Sequence, residues 1–381
     1  MNVAIVCEYN PFHFGHLHQI EQIKKIFPEA NIVAIMSGNV VQRGDFSILD
    51  KLYKTKIALE YGIDCVIELP SVFSLQSAEN FSYYAIKIID NIGCDYVSFG
   101  VETEIEDLIS YKDFLLENEA NIKQFILENK NNSYNKNIME FSKQNYTDHS
   151  DEIFKSNNIL ALEYMKSLDK LHSKCKILPI KRINSEYNSN SIESISYSAS
   201  SIRTNLMLLE EFKYKIPYST YKYLKNNSIK ANKKLLDILS YKLFVEKSEL
   251  DNITGYEKGL DNLLSNALNE NYDDFFENIK NKKYTKNRLQ RLILNYILGV
   301  DKKFVDDIVN ADIEAVRLLG FKKNFDLSAI KKNCKIYSLN RDFSNLSENY
   351  KELFEYDVKV SRLLYSTKKV NDFYDFPVIK K

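Results

Sequence analysis

Tryptophan is absent from this 381-residue chain, and glycine (ten), proline (six), cysteine (five) and histidine (five) are all scarce. So little glycine and proline excludes collagen-like and low-complexity architectures. The five cysteines (Cys7, Cys65, Cys94, Cys175, Cys334) are scattered and show no metal-ligand spacing. They predict free thiols in a reducing, cytoplasmic setting rather than a disulfide framework or a zinc site. No apolar run is long enough to span a membrane. Residues 1–7 lack the basic start of a signal peptide and read as a buried strand. Lys plus Arg equals Asp plus Glu, at 52 each. A net charge of zero argues against a protein that coats nucleic acid over its whole surface, yet it permits a local basic patch. What remains is ordinary globular material, 44% hydrophobic and 27% charged, long enough for two or three domains.

The first hundred residues alternate between two hydrophobic periods. Short apolar runs at 3–7, 31–36, 65–69 and 96–99 predict strands. Amphipathic stretches at 15–26, 50–61 and 77–92 predict helices, the second capped by Asp50 or slightly earlier by Ser47. Strand–helix alternation at this spacing predicts an α/β fold with a parallel sheet, whose ligands bind beyond the carboxyl ends of the strands. Four unusual loops fall at such ends, after residues 7, 36, 67 and 99. Residues 103–170 read as helices with a polar break near 130–135. A strand follows at 175–180, then a polar loop at 184–193 and a helix opening at 198–203. Beyond about residue 213 the pattern predicts helices at 232–247, 257–270, 272–282, 285–298, 303–310 and 312–319. The division expected is an α/β catalytic domain over 1–210 and a mainly α-helical domain over 211–381.

Three of the five histidines, His13, His16 and His18, fall within six residues, directly after the first strand. His13 and His16 share the first turn of a helix starting near Gly15. That turn offers free N–H groups and the positive end of the helix dipole, which suits a phosphate. A surface helix that merely carries histidines is the competing reading. Ser37-Gly38-Asn39 and Arg43-Gly44 occupy the next loop, where an Arg can fork onto phosphate or carboxylate. Lys51 and Lys54 lie on the following helix, as phosphate contacts or as solvated surface. Gly100 lets a ligand approach the backbone, unless it only makes a turn. Of Asn157 and Asn158, one can cap a helix and the other hydrogen-bond a nucleotide. Lys181-Arg182 and the segment Ser200-Ser201-Ile202-Arg203 are further anion-binding candidates. Lys280, Lys282, Lys283, Lys286, Arg288 and Arg291 form the densest basic run, with Tyr284 inside it. It is either an RNA-backbone contact or a solvated helix face.

Taken in order, several segments resemble one family. They are Glu8-Tyr9-Asn10-Pro11-Phe12-His13-Phe14-Gly15-His16-Leu17, Met36-Ser37-Gly38-Asn39-Val40-Val41-Gln42-Arg43-Gly44, Asp50-Lys51, Val66-Ile67-Glu68-Leu69-Pro70, Gln76-Ser77-Ala78-Glu79, Asn157-Asn158-Ile159-Leu160, Ile180-Lys181-Arg182 and residues 198–203. The pattern is similar to the bacterial tRNA(Met) cytidine acetate ligases of the HxGH nucleotidyltransferase-like superfamily. It is dense over residues 1–205 and thin afterwards, where Val316-Arg317-Leu318-Leu319-Gly320-Phe321 is the best local match.

The resemblance implies a Rossmann-like catalytic domain that activates acetate with ATP to acetyl-adenylate. It then implies transfer of the acetyl group to N4 of the wobble cytidine (position 34) of elongator tRNA(Met). It implies His13 and His16 as catalytic. It places ATP on Cys7, Glu8, Tyr9, Asn10, Pro11, Phe12, His13, Phe14, Gly15, His16, Leu17, His18, Gln19, Ile20, Gly100, Asn157 and Arg182. Ser37, Gly38, Asn39, Arg43, Lys51, Ser200 and Arg203 are candidate phosphate or acetate contacts, with acetate expected near Asn10 and Phe12. Lys282, Lys283 and Lys286 are candidate tRNA contacts. Mg²⁺ is expected on the ATP phosphates, with no metal ligands from the protein. Lys54 stands where the family usually has Arg, Ser156 where it has Pro, and Ala161 where it has Gly. Two other readings are an HxGH adenylyltransferase for a small metabolite and a non-catalytic RNA-binding factor.

Overall fold

The computed structural model describes residues 1–146, 151–182, 198–227, 235–268, 272–330, 333–338, 340–365 and 377–380. The loop expected at 184–193 lies outside them. The elements begin with β1 (Asn2–Cys7), α1 (Phe14–Ile26), β2 (Asn31–Ser37), β3 (Val40–Val41), β4 (Asp45–Phe46), α2 (Lys51–Glu60), β5 (Cys65–Leu69), α3 (Ser71–Ser74), α4 (Ala78–Ile92) and β6 (Tyr96–Val101). Next come α5 (Ile105–Glu117), α6 (Glu119–Glu128), α7 (Tyr134–Asn145), α8 (Ser156–Lys170), β7 (Lys176–Lys181), α9 (Ala199–Thr204) and α10 (Tyr218–Asn227). The chain continues with α11 (Leu235–Ser240), α12 (Leu260–Ala267), α13 (Tyr272–Ile279), α14 (Lys286–Leu298) and α15 (Lys302–Asn310). It closes with β8 (Ala315–Lys322), β9 (Lys335–Tyr337), α16 (Glu348–Leu364) and β10 (Val378–Lys380).

The main sheet runs β10-β8-β5-β2-β1-β6-β7, with β9 beside β8. The five strands from β5 to β7 are all parallel, as the alternating pattern predicts. β2 and β5 build out from one side of β1, and β6 and β7 from the other. The β1/β6 boundary is therefore the switch point where ligands bind in such sheets. Both faces are covered. Val33 and Ile35 of β2 join one apolar cluster, while Ile32, Ala34 and Met36 join the opposite one, the period-two signature of a doubly buried strand.

Helix starts follow local chemistry. Asp50, not Ser47, caps α2 by accepting from Leu52 N at 2.8 Å. Ser77 caps α4 and Thr285 caps α14. Among the described residues no helix is long and apolar enough to cross a membrane.

Two expectations are corrected. The segment 312–319, read as a helix, instead leads into β8 (Ala315–Lys322), which pairs antiparallel with β5 and parallel with β10. The run Val316-Arg317-Leu318-Leu319 is buried on both faces, and periodicity cannot separate such a strand from a buried helix. The C-terminal part is thus not helical throughout. α14 also divides its apolar residues: Leu289 and Ile293 pack within a helical cluster with Leu264 and Phe275, whereas Leu294 and Leu298 pack with the sheet core.

Candidate active site

His13 ends the loop after β1 and is the N-cap of α1. Its Nδ1 accepts from Gly15 N at 3.0 Å, and Nδ1 of His16 accepts from His13 N at 3.2 Å. Two imidazoles thus make the reciprocal cap usually made by Ser/Thr and Glu. Their rings stack with centroids 3.9 Å apart. Because each Nδ1 accepts, each neutral ring carries its proton on Nε2. Burial, reinforced by Arg182 and Arg203, pushes His13 down to about 3. Burial, with His13 and Arg182 beside it, holds His16 well below the ordinary histidine range. At neutral pH both rings are uncharged N–H donors.

His16 opens onto a cleft of about 820 Å³ at the carboxyl edge of the sheet, a size suited to a cofactor or nucleotide. His13 is buried (4% exposed) against His16 rather than on the cleft wall. Cys7, Glu8, Tyr9, Asn10 and Gln19 line the same wall, and Gly100, Asn157 and Arg182 line the adjacent one. Arg182 follows β7, and its Nη1 donates to Asn157 Oδ1 at 3.4 Å. A Cβ on Gly100 would sit 3.1 Å from Arg182 Cγ, so the bare glycine leaves the guanidinium stem room across the strand end. Arg203 donates to Asn10 O at 2.6 Å. Arg43 is also at the cleft. Burial pushes the Cys7 thiol up to about 12, so it is no nucleophile.

Several expected contacts lie elsewhere. Lys51 is 1% exposed and bonds Glu68 Oε1 at 2.9 Å, with Arg317 on the same carboxylate at 3.3 Å. Gly38 packs against that carboxylate, where a Cβ would come within 2.2 Å of Glu68 Oε1. Asn39 accepts from Lys51 N and donates to Ser361 Oγ. Ser37, Gly38, Asn39 and Lys51 therefore build the interior below the cleft and do not face it. Lys54 is not solvated either: fully buried, it donates to the carbonyls of Glu8, Ser37 and Gly38 at 2.9, 2.8 and 2.7 Å. It thereby ties the ends of β1 and β2 together. Pro11, Phe12 and Ile20 are buried off the cleft, and Phe12 stacks on Tyr61, which removes it from an acetate pocket. Phe14, Gly15, Leu17, His18 and Ser200 are also off the cleft wall.

Neither asparagine of the 157–158 pair is a cap. Lys155 holds that position without a side-chain bond. Asn158 is buried and accepts from Glu102 N at 2.9 Å, while Asn157 faces the cleft. Lys181 is exposed and pairs with Glu104.

The sequence reading missed the wall opposite the histidines. Arg288 and Arg291 on α14 line the cleft, together with Gln42, Gln76 and Thr254. Gly44, at φ +80°, lies so close to α14 that a Cβ would fall 2.4 Å from Arg291 N. The basic run was the available signal, but nothing local says that α14 reaches back to the turn between β3 and β4. Lys282 and Lys286 are exposed, and Lys283 sits at the cleft, paired with Glu257 at 2.6 Å.

Among the described residues no group of three or more His, Cys, Asp or Glu could hold a metal ion.

Residues 1–375 match the family model described as HIGH Nucleotidyl Transferase. The chain is 34% identical over 402 residues to the tRNA(Met) cytidine acetate ligase of Fusobacterium nucleatum, covering 100% of this chain and 98% of that one. It is 34% identical over 359 residues to the tRNA(Met) cytidine acetate ligase of Clostridium acetobutylicum, covering 88% and 89%. Among solved structures, Thermotoga maritima TmcAL bound with alpha-thio ATP matches with a TM-score of 0.85 at 26% identity, covering 99% of each chain. With a HIGH-type histidine pair at the switch point of its sheet and relatives matched from end to end, the chain belongs to the tRNA(Met) cytidine acetate ligase family.

Proposed function

We propose that this protein uses ATP to activate acetate and acetylates N4 of the wobble cytidine of elongator tRNA(Met); its relatives are named tRNA(Met) cytidine acetate ligases. The observation that carries the reading is the paired imidazole cap. Two neutral rings, each with its proton on Nε2, stand at the positive start of α1 beside Arg182 and Arg203. That arrangement suits charge that grows on an α-phosphate.

In the first step an acetate oxygen bonds to the α-phosphorus, the bond to the bridging oxygen breaks, and pyrophosphate leaves. His16, at the cleft wall, donates to the α-phosphate oxygens as their charge rises, while His13 sets its ring and tautomer. Arg182 and Arg203 neutralise phosphate oxygens. Magnesium on the leaving phosphates supplies further charge neutralisation when bound. In the second step the cytidine N4 bonds to the acetyl carbon of acetyl-adenylate, AMP leaves, and the amine proton passes to water. No covalent enzyme intermediate is needed, in keeping with the protonated Cys7 thiol.

The test is direct. Purified protein with ATP, Mg²⁺, acetate and unmodified elongator tRNA(Met) should yield N4-acetylcytidine without acetyl-CoA. Product that forms only when acetyl-CoA replaces acetate and ATP would refute the proposal.

A further inference from the structure

The turn after α13 meets the start of α7 at the outer rim of the cleft. Asn281 Oδ1 accepts from Lys283 N and Tyr284 N at 2.9 and 2.8 Å, which fixes the turn. The carbonyl of Lys282 accepts from Ser133 N at 3.0 Å, and Ser133 caps α7. Tyr134, the first residue of α7, is therefore held near Lys283 at the cleft, and the residue is 56% exposed.

Three different donors meet on one carboxylate there. Glu257 Oε2 takes Lys283 Nζ at 2.6 Å and Tyr284 OH at 3.1 Å, and Oε1 takes Arg288 Nη2. Lys283 and Arg288 also lie over the Tyr284 ring, 5.1 and 5.0 Å from its centroid. This is a formed anion nest with a side chain in it, flanked by the exposed cations Lys282 and Lys286 and an exposed aromatic face. Aromatic faces interleaved with cations are what unpaired RNA binds.

We propose that this rim docks an unpaired RNA loop: Tyr134 stacks a base, and a backbone phosphate takes the Lys283, Tyr284 and Arg288 donors in place of the Glu257 carboxylate. The proposal rests on the RNA-acetylation reading and names the surface through which RNA reaches the cleft. Glu257 is then an internal counter-ion that competes with RNA.

Binding of unmodified elongator tRNA(Met) to the full-length protein, measured across a salt series, tests this. Tyr134→Ala should weaken binding roughly 5- to 100-fold, the scale of losing one stacked base. Glu257→Gln should tighten binding and steepen the salt dependence. Lys283→Ala should flatten it by about 0.7 in log–log slope, one phosphate contact on a single strand. Circular dichroism melts establish that each variant is folded; if Glu257→Gln is not, Tyr134→Ala and Lys283→Ala decide. Affinities and slopes equal to those of the parent would overturn the proposal. So would a shift confined to the ATP dependence of acetate-stimulated pyrophosphate exchange, which would assign the nest to ATP phosphates instead. If the parent neither exchanges nor acetylates, the proposed function fails, and the binding measurements still decide the docking surface.

Discussion

Arg291 Nη1 donates to the carbonyl of Gln42 at 3.0 Å, across 249 residues of chain. Gln42 N in turn donates to Glu8 Oε1 at 2.7 Å, beside the histidine loop. Two hydrogen bonds thus run from the helical segment to the nucleotide edge. The basic run, read as an RNA contact or a solvated helix face, is split by this docking. Arg291 is drawn inward, where burial, with Arg288 nearby, lowers it to about 10. Its neighbours Lys282 and Lys286 stay at the surface.

Removing the His16 ring should separate binding from chemistry. His16→Ala is expected to lower acetate-dependent pyrophosphate exchange by about 100-fold or more, the scale of losing one preorganised donor to developing charge. ATP affinity should change far less, because the donor matters most in the transition state. Near-parental turnover would mean that the pair serves only to cap α1.

Lys51 should matter for stability and not for nucleotide contact. Lys51→Met leaves the Glu68 carboxylate buried with fewer partners, and the expected loss is roughly 3 kcal/mol in a denaturant titration. The ATP dissociation constant of the folded variant should match the parent. A large loss of ATP affinity without loss of stability would return Lys51 to the cleft.

The histidines set a pH dependence whose sign can be worked out. His13 has a folded value of about 3 against 6.5 unfolded, so between these values the unfolded chain binds the extra proton. Stability from this group is present above 6.5 and is lost as pH falls towards 3. Asp357 acts oppositely: burial, with Glu68 beside it, pushes its carboxyl up to about 7, so its contribution is lost as pH rises through 7. Comparing the nucleotide-free protein with His13→Gln cancels the Asp357 part. The variant should show a shallower acid loss, by up to about 1.4 kcal/mol per pH unit. Identical slopes would mean that His13 titrates alike in the folded and unfolded chains.

The sequence by itself determined the parallel sheet, the start of α2 at Asp50 and the histidine edge. These are local properties: apolar period, cap residues, and histidines clustered after a strand. It also placed Arg182, Asn157 and Gly100 correctly at strand ends and a helix start. It could not say which polar residues of the second loop face inward. Ser37, Gly38, Asn39 and Lys51 look like a phosphate loop, yet Lys51 and Arg317 converge on Glu68 only because β8 returns beside β5. Only the tertiary structure decided that return, because an apolar run buried on both faces carries no period to distinguish strand from helix. It alone brought α14 against Gly44 and made one cleft from two distant stretches of chain. The contacts that close the cleft join residues about 250 positions apart, as Arg291 and Gln42 are, and no spacing along the chain encodes such a pair.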